Sequence, residues 1–238
     1  MHADVAPLWV DLEKHMHRHE VDYPEDLRDL FRVFLAVFAL HAASRPKHQV
    51  LAWTLNFQKP LFNLFLAADT DLDSVTGRIF TENIRQGEDQ RFYQESARIG
   101  QPVMRSICLF SGNDPFLAAE TFYRQSEQRL ARFFQIAPTE FSMLVAHPDC
   151  DETWLTNLSH EDIHGLSREE KVVPIEIRPL RWFCGCNEER LLHALAAPYR
   201  MAPEDLFAQE EMLEAQCPRC ASRYRLRREA MEAYVAKG

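Results

Sequence analysis

Cys184-Gly185-Cys186 and Cys217-Pro218-Arg219-Cys220 hold four of the chain's six cysteines, and the second pair starts 31 positions after the first ends. That separation is too long for a single loop and long enough for a small domain to fold back on itself and gather four sulfurs. Zinc favours four soft ligands in a tetrahedron, and close pairs on turns pre-organise two corners each, so the pattern suits a thiolate zinc site. The CPxC half is the stronger signal. The spacing leaves open whether such a site is a structural clasp or something more. A disulfide framework is the remaining reading, and nothing else in the chain looks secreted.

Around this stretch lies a chain of 238 residues, enough for one sizeable core and a small appendage. A hydrophobic content of 46% with 26% charged residues is that of a folded globular protein, and only seven glycines speak against a long low-complexity tract. The net charge of −9 argues against non-specific attraction to nucleic acid or anionic lipid by the molecule as a whole. The N-terminus, Met1 to Pro7, lacks a basic region followed by an apolar core, so no signal peptide is expected. Phe31 to Ala43 is the most apolar segment and is too short to span a membrane. The expected compartment is the reducing cytoplasm, where paired cysteines are thiols or metal thiolates.

Val5, Leu8, Trp9, Leu12 and Met16 recur at helical spacing, and the helix they predict runs into His15, His17 and His19. His15 and His19 share a face four residues apart, but with no cysteine or carboxylate ligand near in sequence they read as a solvated face. Pro24 opens a core helix carrying Leu27, Leu30, Phe31, Phe34, Leu35, Phe38 and His41. From Val50 the period becomes two: Leu51, Trp53, Leu55 and Phe57 predict a half-buried strand, Lys59-Pro60 a turn, and Leu61 to Ala67 a returning strand. Thr76 to Phe80 and Val103 to Phe110 predict further strands, while residues 81–101 are too polar to assign. Pro115 starts a helix reaching about Gln128, and Leu130 to Ile136 and Phe141 to Val145 predict closing strands. The fold class expected is α+β: an N-terminal antiparallel sheet with packed helices over residues 1–148, a short helical linker over 149–183, and a small four-cysteine zinc domain over 184–238.

The seven glycines are too scattered for a dinucleotide fingerprint or a P-loop, and no GxSxG elbow or HExxH pair occurs, so the chain is not expected to be an enzyme. Cys108 reads as a small buried hydrophobe, and Cys150, set among carboxylates, as a bystander. Asn187 is placed to cap a helix bearing Leu191, Leu192 and Leu195, and Tyr224 and Leu226 continue a strand after the second pair. Arg219, Arg223, Arg225, Arg227 and Arg228 balance the charge of a four-thiolate centre. The same arginines support an alternative, a zinc-ribbon module contacting nucleic acid or a protein partner, which Glu229 and Glu232 and the lack of an aromatic platform weaken.

The two cysteine pairs and several flanking stretches resemble the heat-shock protein 33 family of redox-regulated bacterial chaperones. The stretches are Cys184 to Leu195, Glu169 to Val173, Asp22-Tyr23-Pro24 and Phe122 to Gln128. The resemblance implies an ATP-independent holdase whose reduced form binds zinc through Cys184, Cys186, Cys217 and Cys220. It further implies that oxidation links each local pair as a disulfide, releases zinc, unfolds the C-terminal region and exposes a surface for unfolding client proteins, with a homodimer as the active form. Departures are the scarcity of glycine-rich turns, with Gln58-Lys59-Pro60 in place of one, Asn187 where the family commonly has serine, and a shortened linker.

Overall fold

From Phe34 to Ala42 every residue is buried, and a helix that is apolar all round must have protein on all sides. The structure, a computed structural model, describes residues 1–169, 176–208 and 210–237. The chain opens with β1 (His2–Asp4) and α1 (Ala6–Arg18), and extended Pro24 leads into the central helix α2 (Glu25–Ala43), whose first turn carries Glu25 and Asp26. Those carboxylates complement the positive end of the helix dipole.

One layer over α2 is a six-stranded sheet. β2 (Val50–Gln58) buries Leu51, Trp53, Leu55 and Phe57, as its alternation predicts, and turns at Lys59-Pro60 into β3 (Leu61–Asp69); β4 (Ser74–Phe80) follows antiparallel. At Gly77 of β4 a Cβ would lie 2.5 Å from the Phe65 carbonyl oxygen of the neighbouring β3 and 3.3 Å from the Phe31 ring of α2. The segment that could not be assigned contains β5 (Gln90–Ala97), which pairs with β2 on one side and with β6 (Met104–Phe110) on the other. Its alternation is masked because one inward residue, Gln94, is polar: it accepts from the Trp53 indole at 2.9 Å and donates to Glu127 at 3.2 Å.

Asp114 caps α3 (Pro115–Phe122) by accepting from Phe116 and Leu117 N–H groups, and the helix widens into a π-turn over Tyr123–Glu127. β7 (Ala131–Ala137) and β8 (Glu140–Val145), expected to close the main sheet, instead form a separate three-stranded sheet with β1 on its edge. Phe133, Phe141 and Met143 of this sheet belong to the same core as α2, so the helix lies between two sheets.

The connector does more than link. α4 (Glu152–Asn157) and α5 (His160–Glu169) pack Leu155, Leu158 and Ile163 against Phe134 on the outer side of the small sheet. The remainder of the Glu169–Val173 stretch, beyond Glu169, lies outside the described residues. Further on, β9 (Arg181–Trp182) joins the large sheet as its outermost strand, parallel to β4. The large sheet is thus antiparallel except at this edge, because the chain reaches it from the Arg178 side, where that buried guanidinium is bonded to Asp73 and to the carbonyls of Ala43, Arg45 and Thr70.

After Cys186 come α6 (Glu188–Met201), α7 (Pro203–Phe207), β10 (Met212–Gln216), β11 (Arg223–Arg227) and α8 (Arg228–Lys237). β10 and β11 pair antiparallel, and Leu191, Leu192, Phe207, Leu226 and Met231 make a core of their own. No helix among the described residues is long and apolar enough to cross a membrane.

Candidate metal centre

Two turns face each other at the base of the C-terminal lobe. Cys184 and Cys186 follow β9 after Phe183, and Gly185 between them has φ +70°, a left-handed conformation that glycine adopts without strain. Asn187 then caps α6, its side chain accepting from the Arg190 N–H at 2.9 Å, so the first pair is held between a strand and a helix start. The second pair ends β10. The Cys217 N–H donates to the Ser222 carbonyl at 2.8 Å and the Ala221 N–H to the Cys217 carbonyl at 3.0 Å, closing a tight knuckle that hands the chain to β11.

The four sulfurs of Cys184, Cys186, Cys217 and Cys220 lie within 4.8 Å of one another and can hold a metal ion. Cys184 approaches Cys217 at 3.7 Å and Cys186 approaches Cys220 at 3.5 Å, so the short contacts run across the two pairs. Cys217 and Cys220 are buried, and Cys184 and Cys186 half-buried. Polar groups surround them: the Tyr224 hydroxyl meets the Cys186 sulfur at 3.1 Å, the Ser222 hydroxyl meets the Cys220 sulfur at 3.1 Å, and the Arg219 N–H donates to the Cys217 sulfur. Hydrogen bonding from the Cys184 thiol holds Cys217 down at about 6 and lowers Cys186, while bonding among the sulfurs pushes Cys184 and Cys220 up.

The other sulfur and imidazole candidates fall elsewhere. Cys108 is buried in β6, and burial raises its thiol to about 11. Cys150 is half-buried beside the small cluster of the connector. The histidines depart from expectation. Only His17 of the three is a solvated side chain; His15 and His19 are half-buried, with ring centroids 4.8 Å apart. His15 lies 5.2 Å from the Trp182 ring and donates from Nε2 to the Cys220 carbonyl at 2.8 Å, and His19 faces Tyr224. The partner is a backbone atom on the far side of the sequence, so no ligand spacing could announce it. A signal was present: positions 8, 12, 15 and 19 form one helical stripe, and Leu8 and Leu12 are core. Arg78 of β4 was also missed, and it donates to the Cys217 carbonyl at 3.0 Å and the Gln216 side chain at 3.2 Å. Arg223, Arg225 and Arg227 stand exposed along one face of β11, with Arg225 paired to Glu214, while Arg228 binds Glu204.

The chain thus sets an α+β core beside a small lobe in which four cysteines converge. Residues 135–227 match the model of the Hsp33 protein family. A 33 kDa chaperonin of Shewanella woodyi is 25% identical over 175 residues, a match spanning 67% of this chain and 59%, under two thirds, of that relative's length. The fold is that of the crystallised 33 kDa chaperonin, a heat shock protein 33 homologue, of Thermotoga maritima, with a TM-score of 0.68, 14% identity, and coverage of 95% of this chain and 90% of that one. The chain is thus similar to the Hsp33 family over residues 135–227 and shares the fold of a heat shock protein 33 homologue.

Proposed function

We propose that this chain is a redox-regulated, ATP-independent holdase of the cytoplasm, with no catalytic role, divided into a core over 1–148, a linker over 149–183 and a zinc-binding switch over 184–238. The observation that carries the reading is the convergence of four sulfurs from two separate turns. Zinc–sulfur bonds of about 2.3 Å in a tetrahedron set sulfurs about 3.8 Å apart, and the cross-pair contacts of 3.7 and 3.5 Å fit that spacing. Zinc bound there supplies folding free energy that so small a lobe otherwise lacks.

Cys184, Cys186, Cys217 and Cys220 hold the ion as thiolates, the species that oxidants attack. Oxidation joins Cys184 to Cys186 and Cys217 to Cys220. Each new S–S bond gives two electrons to one peroxide, whose O–O bond breaks and which leaves as two waters; full conversion takes up two peroxides and four protons and frees one divalent ion. The two turns then no longer bind each other, the lobe loosens, and unfolding client proteins find apolar surface, with a homodimer as the active form.

Zinc-loaded protein treated with peroxide or hypochlorite is expected to release zinc and to suppress thermal aggregation of a client in parallel. Zinc release without any suppression refutes the holdase. A second reading, a zinc-ribbon module for nucleic acid, is favoured by Arg223, Arg225 and Arg227 on one exposed face. Salt-dependent RNA binding by the reduced protein that is lost in Arg223→Ala/Arg225→Ala supports it.

A further inference from the structure

We infer that His15 and Arg78 form a latch through which the thiol centre holds β9 against the core. The inference rests on the switch reading above and names how that switch is regulated. Both carbonyls of the second cysteine pair are gripped from outside the lobe: Arg78 donates to Cys217 at 3.0 Å and His15 to Cys220 at 2.8 Å. Arg78 lies in β4 with its guanidinium stacked 4.2 Å over the Phe80 ring, and His15 stands on α1, so the grip comes from two different parts of the core.

The first cysteine pair is anchored independently. Phe183, next to Cys184, donates its N–H to the Val75 carbonyl at 3.0 Å, and the Arg181 N–H donates to Asp73 at 2.9 Å. The Arg181 guanidinium holds both oxygens of Asp11 on α1, and Trp182 meets Phe31 of α2 edge-on at 6.2 Å. A two-residue strand with two backbone bonds to its neighbour is weak, since each contributes about 1 kcal/mol. The sulfur cluster joins these two anchored segments. While 184 and 186 are tied to 217 and 220, releasing β9 also requires tearing His15 and Arg78 from their carbonyls. Pairing of the sulfurs within each turn removes that tie, and β9 is left with its own few bonds. Its departure frees the outer edge of β4 and one side of Phe31.

The latch reads the knuckle through backbone atoms. The Arg219 N–H points at the Cys217 sulfur and Ala221 takes φ +62°, and this folding of the turn leaves the Cys217 and Cys220 carbonyls available to the core. A donor at each position is therefore what matters. Gln at position 15 keeps a side-chain N–H; Phe keeps the ring and loses the donor.

The test is hydrogen exchange on the full-length, zinc-loaded, reduced protein, with zinc content measured alongside. Arg78→Ala and His15→Phe are expected to speed exchange at Arg181 and Phe183 by about tenfold or more, the effect of losing a bond that contributes about 1.5 kcal/mol. Protection at Cys217 and Ala221 and one zinc per chain should be kept, and His15→Gln should behave as wild type. Unchanged exchange at Arg181 and Phe183 overturns the latch. So does acceleration spread through β2, β3 and β5, or a His15→Gln variant as fast as His15→Phe. The holdase reading fails separately: a latch confirmed by exchange, in a protein that suppresses no client aggregation when oxidised, leaves the coupling standing and removes the chaperone.

Discussion

Arg178→Ala tests whether the connector is bonded into the core or merely laid on it. The Arg178 side chain is 5% exposed. Its Nε donates to Asp73 at 3.0 Å, Nη1 to the carbonyls of Arg45 at 2.7 Å and Ala43 at 3.1 Å, and Nη2 to the Thr70 carbonyl at 2.8 Å. One guanidinium thus satisfies the unpaired C-terminal end of α2 and the turn between β3 and β4. Asp73 keeps Lys47 at 2.7 Å after truncation, so no bare charge is left, and the loss comes from the carbonyls. At about 1 kcal/mol for each of three, with water entering the gap, the cost is about 3 kcal/mol. With a urea m-value of about 2–3 kcal/mol per molar, the midpoint followed by tryptophan fluorescence falls by about 1 M or slightly more. Arg178→Lys restores the pair with Asp73 but not the fork, and should recover less than half of the loss. A midpoint for Arg178→Ala within about 0.2 M of wild type, or full recovery by lysine, refutes the reasoning.

Asn187→Ala removes the α6 cap and should cost about 1 kcal/mol in the stability of the C-terminal lobe, read by thermal melting, whereas Asn187→Ser should cost a few tenths at most. His41 is fully buried against Phe38, Trp53, Phe122 and Tyr123, and loss of hydration, with Arg45 nearby, holds its pKa well below the ordinary 6.5. The unfolded chain then binds a proton that the folded one refuses. Stability should therefore fall as pH drops below 6.5, by up to about 1.4 kcal/mol per unit until the depressed pKa is reached. Urea midpoints at pH 7.5, 6.5 and 5.5 should show this slope in wild type and less of it in His41→Gln; equal slopes would contradict it. Cys220→Ser should reduce bound metal from about one equivalent to a small fraction, since a four-thiolate site loses a corner; retention of full stoichiometry would exclude Cys220 as a ligand.

Sequence was most informative where one physical demand dominated. β2 was legible because Leu51, Trp53, Leu55 and Phe57 all face one core, and the four cysteines because sulfur pairs on turns have few other uses. β5 was illegible because its inward face spends Gln94 on a buried hydrogen-bond network, leaving Phe92 as its one fully buried apolar residue. β1 is three residues long and means nothing without β8 beside it. Arg178, His15 and Arg78 were illegible for a common reason. Each bonds to a backbone carbonyl far away in sequence, and a carbonyl has no side-chain identity to be recognised by. A charged residue at such a position reads as solvated until the fold brings the acceptor to it.

Gly77 bears on the centre without touching it. A Cβ here would lie 2.5 Å from the Phe65 carbonyl and 2.7 Å from the Leu66 side chain of β3, and 3.3 Å from the Phe31 ring of α2, so its bareness lets β4 lie against both neighbours. Its chain neighbour Arg78 reaches the second cysteine turn, and Phe31, pressed against it, props the tryptophan that leads to the first. A methyl at this position would have to displace the β3 backbone or β4 itself, and Arg78 with it. The supports of both sulfur pairs thus meet at a position that carries no ligand, and Gly77→Ala, which must shift β4 against β3, is expected to lower the metal content of the purified protein.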